Sequence, residues 1–190
     1  VDYDGEINSI AITTPAGMEF RKQFEYLMKQ LSREYEDADL YCCFHRGIYR
    51  DEHTDIIDSL YHRWLKFRAD RLGFETVNMA YSPEKLDLYD EIDMHIGYRV
   101  HGHIAFLTRR KPSYLIHEDG RGEGFSESVN LESDVRGFNV ESYRKPINDV
   151  LSNIKKHKEG NFKDFNETFQ KMDHSFEKMK EHIENIASHE

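Results

Sequence analysis

Along this chain a short apolar run, a break rich in glycine or proline, and a longer stretch with apolar residues three and four apart follow one another repeatedly. Ile7-Asn8-Ser9-Ile10-Ala11-Ile12-Thr13 has the composition of a strand, and Thr14-Pro15-Ala16-Gly17 ends it. From Met18 to Tyr35 the apolar residues Phe20, Phe24, Leu27, Met28 and Leu31 have the spacing of an amphipathic helix. Ala38 to Phe44 reads as a buried parallel strand ending at His45-Arg46-Gly47. Asp51 to Leu72 reads as a helix with Ile56, Ile57, Leu60, Trp64, Leu65 and Phe67 inward and Gly73 closing it. Phe74 to Ala80 alternates as a third strand. Ser82-Pro83-Glu84 then starts a short helix, with a capping serine and proline at the first helical position.

The central stretch, Ile92 to Leu107, supplies a fourth strand, a tight turn and a helix. Ser113 to His117 is a fifth strand, and Glu118 to Phe125 is a glycine-rich loop leading into another helix. Beyond Val129 the strand signal fades: Asn130 to Lys145 is expected to be irregular, and Pro146 to Lys156 to be a helix with Ile147, Val150, Leu151 and Ile154 inward. A last helix carries Phe162, Phe165, Phe169, Met172, Phe176, Met179, Ile183 and Ile186 in three-four spacing for about six turns. It packs on its own domain or on another, or else pairs as a coiled-coil homo-oligomer. The expected fold is α/β: a Rossmann-like, doubly wound parallel sheet of about five strands with a carboxy-terminal helical extension. Residues 1–129 form the α/β domain, and residues 130–190 the irregular segment and closing helices.

Composition narrows the class. A formal net charge of −10 in 190 residues argues against a general nucleic-acid binder. There is no apolar stretch of membrane-spanning length and no signal-peptide pattern, so the chain reads as cytoplasmic. Adjacent Cys42 and Cys43 cannot easily be bridged to each other and read as buried reduced thiols in a strand. The opening Val1-Asp2-Tyr3 reads as the start of a carboxy-terminal portion of something longer.

The candidate chemistry gathers at the carboxyl end of the fourth strand. With strand order 3-2-1-4-5 the switch point lies between strands one and four. Thr13, Thr14, Ala16 and Gly17 then face Tyr98, Arg99, His101 and Gly102, with Glu118, Asp119 and Arg121 alongside. A helix amino end there attracts anions, Arg99 offers a forked cation, and His101 and His103 exchange protons near neutral pH. His45 also faces this edge, while His95, inside its strand, is expected to pack against a helix. Strand alternation and the glycine turn scatter His95, His101, His103 and His117, which disfavours zinc.

The order Gly97-Tyr98-Arg99-Val100-His101-Gly102, then Lys111-Pro112, Asp119-Gly120-Arg121 and Gly124-Phe125, resembles the signature region of the polysaccharide pyruvyl transferases. Two features depart from that pattern: the helix ends Thr108-Arg109-Arg110-Lys111 rather than in small residues, and the final loop is unusually rich in glycine. The resemblance implies the carboxy-terminal half of a two-domain GT-B-like transferase that moves a pyruvyl group from phosphoenolpyruvate to a sugar or lipid-linked oligosaccharide. It requires no metal and no cofactor beyond this donor substrate. By that resemblance Arg99 binds the donor's phosphate or carboxylate, His101 is general acid or phosphate ligand, Arg121 is a second anion ligand, and Asp119 orients it or activates a hydroxyl. Gly102, His103, Thr14, Gly17 and Glu118 complete the substrate-binding set. A nucleotide-sugar glycosyltransferase, with Glu118 holding the ribose, is one alternative. A non-catalytic sugar- or protein-binding module is another.

Overall fold

A computed structural model of the chain describes residues 6–129 and 131–187; the opening Val1-Asp2-Tyr3 and Asn130 lie outside the described residues. Its sheet is wholly parallel, with strands β1 (Ser9–Thr13), β2 (Asp39–Phe44), β3 (Glu75–Asn78), β4 (Met94–Gly97), β5 (Ser113–His117) and β6 (Val135–Arg136). They run in the order β3-β2-β1-β4-β5-β6. The order expected for the first five strands is therefore observed. The helices are α1 (Arg21–Glu34), α2 (Ile56–Asp70), α3 (Val100–Thr108), α4 (Gly120–Val129), α5 (Lys145–Glu159) and α6 (Asp164–Ala187).

Alternation within β1 divides its side chains between two cores. Ile10 and Ile12 join the larger core with Phe24, Leu27, Met28 and Leu31 of α1, whereas Ala11 joins Cys43, Tyr89 and Phe106 in the smaller one. Leu27, Met28 and Leu31 have no exposed surface, and each such burial stabilises by about 1.5–3 kcal/mol. Cys42 and Cys43 are free and buried; burial pushes the Cys43 thiol up to about 12. Among the described residues no helix is long and apolar enough to cross a membrane.

Four sequence expectations are corrected. The stretch after Val129 contains β6, a strand too short to leave an alternating pattern; it pairs with β5 at Ile116 and His117. The glycine-rich segment after β5 is helical from Gly120, because the Asp119 carboxylate accepts the N–H of Arg121 at 2.9 Å and caps the helix. Residues 83–90 form a 3-10 helix, and the Ser82 hydroxyl donates to Glu84 rather than capping it.

The fourth correction concerns α2. It begins at Ile56 because the Asp51 carboxylate accepts the N–H groups of His53 and Thr54, both at 2.8 Å, and so turns the backbone away from helix. Asp55 then caps α2 by accepting the Asp58 N–H. The helix is also rotated from its expected setting. Ser59 donates to the carbonyl of Ile48 and His62 donates through Nδ1 to that of Gly47, at 3.2 and 2.8 Å. These bonds turn Ser59, Tyr61, His62, Leu65 and Ala69 inward and leave Ile56, Ile57, Leu60 and Phe67 exposed.

At the carboxy-terminal end, α5 buries Ile147, Val150 and Ile154, with Leu151 partly buried. Phe162 precedes α6, and Phe165 and Phe169 bury that helix's first turns; Tyr114 of β5 lies 5.5 Å from Phe165, ring to ring. Farther along, Phe176 and Met179 are exposed, and the Ile183 and Ile186 side chains lie outside the described ones.

Candidate functional site

The direction of sheet winding reverses between β1 and β4, and the crevice at their carboxyl ends is where doubly wound sheets take ligands. Thr13 and Gly97 are in register across this pair. The Thr13 Oγ1 accepts the N–H groups of Tyr98 and Arg99 at 3.2 and 3.3 Å, fixing the turn into α3. Two glycines permit the approach. A Cβ on Gly97 would collide with Thr13 Oγ1 and lie 2.7 Å from the Thr13 backbone nitrogen, and one on Gly102 would lie 3.1 Å from Thr13 Cγ2. Arg99 is the extended residue ahead of α3, and no side-chain cap hydrogen bond covers the helix's amino end. Its first-turn N–H groups and partial positive charge therefore face the crevice.

Arg99 is partly buried, and its Nη2 donates to the Pro15 carbonyl at 3.3 Å. Its Nε is buried without a hydrogen-bond partner among the described residues, as is the Thr14 Oγ1. Unpaired buried polar groups each cost about 1–3 kcal/mol, and these two lie at the same edge of the sheet. Burial pulls Arg99 below its ordinary value, opposed by the nearby charge of Glu118 and reinforced by Arg46 and Arg121. As an arginine it stays protonated at neutral pH, so its charge is partly desolvated.

The other expected ligands are distributed differently. Glu118 accepts the Ala16 N–H at 2.6 Å and also the Gly17 N–H, so the loop amides expected to meet a substrate meet a side chain instead. Glu118 thereby serves as a clamp from β5 onto the loop after β1. Burial raises the Glu118 carboxyl, opposed by these amides and by Arg99. Asp119 and Arg121 form a two-pronged pair, with Nε and Nη2 donating to Oδ2 at 3.0 and 2.6 Å. Asp119 thus holds Arg121, and the guanidinium lies in solvent with 87% of its side chain exposed. The arginine holds Asp119 below the usual carboxylate range.

His101 is exposed on the first turn of α3. His103 is the clearest correction: it has no exposed surface, its Nδ1 lies 2.7 Å from Ser113 Oγ, and it cannot touch a ligand in the crevice. His95 packs on a helix as expected, stacked on Phe106 of α3 at 5.2 Å. His45 bonds through Nε2 to the Tyr89 hydroxyl at 2.6 Å; burial, together with Arg99 and His101, pushes it down to about 4. It is therefore neutral at pH 7. Sequence reasoning missed Arg46, which adds charge to Arg99's surroundings, and also Ser113 and Asp134, whose importance depends on partners distant in the chain. Among the described residues no group of three or more His, Cys, Asp or Glu is placed to hold a metal ion. Cavities of about 500 and 540 Å³ lie elsewhere, beside His157 and Asp164 and beside His117 and Glu123.

The structure defines a doubly wound α/β protein with a partly buried arginine, Arg99, at the β1–β4 crevice. No protein-family model matches the chain, and no curated protein matches it in sequence.

Proposed function

We propose that this chain binds phosphoenolpyruvate at the amino end of α3 and takes part in transferring its pyruvyl group to a sugar of a polysaccharide or a lipid-linked precursor. The observation that carries the reading is the pair of buried, unpartnered polar groups, Arg99 Nε and Thr14 Oγ1, at the helix end that bears the Gly97-to-Gly102 motif. Such an edge favours a compact dianion over a neutral ligand.

In the reaction a proton adds to the donor's methylene carbon, a sugar oxygen attacks the adjacent carbon, and the carbon–oxygen bond to phosphate breaks. A second hydroxyl closes the ketal, and inorganic phosphate leaves. Arg99 and the α3 amides hold the phosphate or carboxylate. His101, exposed on the first turn of α3, is the proton donor in this reading. His45, neutral at pH 7, receives no proton-donating role here. Glu118 is occupied with Ala16 and Gly17, which weighs against the nucleotide-sugar reading, where a free carboxylate is needed for the ribose.

The test is calorimetric titration of phosphoenolpyruvate and a panel of nucleotide sugars into the chain and into Arg99→Ala. Saturable phosphoenolpyruvate binding that the variant abolishes is the expected result. Binding of nucleotide sugars alone would overturn it.

A further inference from the structure

Beneath the crevice five side chains form a continuous buried line from β1 to the far edge of the sheet. Thr13 Oγ1 lies 2.9 Å from His95 Nε2, and His95 Nδ1 lies 2.7 Å from Ser113 Oγ. The same Ser113 Oγ lies 2.7 Å from His103 Nδ1. His103 Nε2 lies 3.3 Å from Asp134 Oδ2, at ion-pair distance though off the line of a good hydrogen bond. Thr13, His95, Ser113 and His103 have no exposed surface, and the Asp134 side chain is 1% exposed.

The direction of every link follows from counting donors and acceptors. At one end the Thr13 oxygen accepts two backbone N–H groups, from Tyr98 and Arg99. Both lone pairs are used, so its hydroxyl hydrogen must go to His95 Nε2. At the other end Asp134 Oδ1 accepts the Leu115 N–H at 2.7 Å, and Oδ2 lies 2.6 Å from the Ser126 hydroxyl, whose single hydrogen also has the Gly122 carbonyl at 3.0 Å. The ring nitrogen facing it must carry a hydrogen. Ser113, with one hydrogen, then accepts from His95 Nδ1 and donates to His103 Nδ1. Both ends impose the same direction, and the His95 ring has no place for a second hydrogen, because the Thr13 oxygen beside Nε2 already accepts two amides. Burial also pushes the His95 ring well below its ordinary value.

We infer that Thr13, His95, Ser113 and His103 form a one-way hydrogen-bond line, with Asp134 facing its last nitrogen at ion-pair distance, that holds His95 as the Nδ1–H tautomer and His103 as the Nε2–H tautomer, and so positions Arg99 at the crevice. His95, His103 and Asp134 are positioning residues. A reversed line would put a histidine N–H on Thr13 and displace a backbone amide from the turn that carries Arg99. The role in binding rests on the anion reading above, whereas the tautomers do not depend on it.

The experiment is long-range proton–nitrogen correlation NMR of the histidine rings in the whole chain at pH 7, with phosphoenolpyruvate titration on the same sample. Opposite neutral tautomers, Nδ1–H for His95 and Nε2–H for His103, are expected. An Nε2–H His95, an Nδ1–H His103, or a charged ring at either position would overturn the inference. Asp134→Asn keeps an acceptor for Leu115 and turns an amide N–H toward His103. In this variant the protonated and bare nitrogens of His103 are expected to exchange places, and phosphoenolpyruvate affinity to fall several-fold. An unchanged His103 tautomer in a folded variant would count against the line; should the variant not fold, the unsubstituted chain's spectrum decides. The stated tautomers without phosphoenolpyruvate binding would sink the donor reading and leave the tautomer assignment standing. Donor binding with wrong tautomers would do the reverse.

Discussion

Polar side chains are buried where α3 begins, while apolar side chains stand in solvent along α2. At the first place Thr13, Thr14, His95 and His103 have no exposed surface, and at the second Ile56, Ile57, Leu60 and Phe67 are more than half exposed. The two departures differ in energy. A leucine left in water forgoes a stabilisation but costs nothing relative to the unfolded chain. A buried hydroxyl or guanidinium nitrogen without a partner loses its hydration outright. Arg99 Nε and Thr14 Oγ1 therefore cost more, atom for atom, than the exposed apolar residues of α2, a helix that itself buries the unpaired hydroxyl of Tyr61.

That comparison is most exposed to test at Gly97. Gly97→Ala is expected to cost about 3 kcal/mol or more, because the added carbon meets the Thr13 backbone as well as its hydroxyl. Denaturant unfolding measures this, and a loss below about 1 kcal/mol would show that the two strand ends are not locked together. On α2, Leu65 has no exposed surface, so Leu65→Ala should cost about 3 kcal/mol in the same measurement.

The buried histidines sharpen the contrast through pH. A free histidine titrates near 6.5 and His45 is held at about 4. Between those values the unfolded chain takes up a proton that the folded chain refuses. This share of stability is complete above about 6.5 and is lost as pH falls toward about 4. Comparing unfolding at pH 6 with pH 5, His45→Gln should flatten the fall by about 1.4 kcal/mol per pH unit at most. An unchanged slope would mean that His45 is charged in the folded protein. The smallest effect is expected at Leu60→Ser, within about 0.5 kcal/mol of the parent chain. A much larger loss there would mean that the outer face of α2 is covered after all.

Much of the fold was legible in the residues. The short apolar runs of β1, β2, β4 and β5 and the three-four spacing of α1 record burial by each element's own period, and all are observed close to their expected bounds. The glycine-flanked Arg99 and His101 were likewise readable as a strand end running into a helix. Illegible features depended on distant partners. His103 has the same local context as His101, yet Ser113 and Asp134 draw it into the interior. Glu118 looked like a free acid until the loop after β1 brought Ala16 to its carboxylate. Ser59 and His62 interrupt the apolar pattern of α2, and their bonds to Ile48 and Gly47 set the rotation of that helix.

By itself, the sequence determined the α/β class and the chain positions of the first five strands, because periodicity and turn chemistry act over a few residues. Only the tertiary structure decided which candidates reach the crevice, which are consumed in holding it together, and the direction of the line beneath it. Those outcomes depend on pairing buried donors with acceptors, and the partners meet across separations such as 82 residues for Thr13 with His95 and 102 for Ala16 with Glu118.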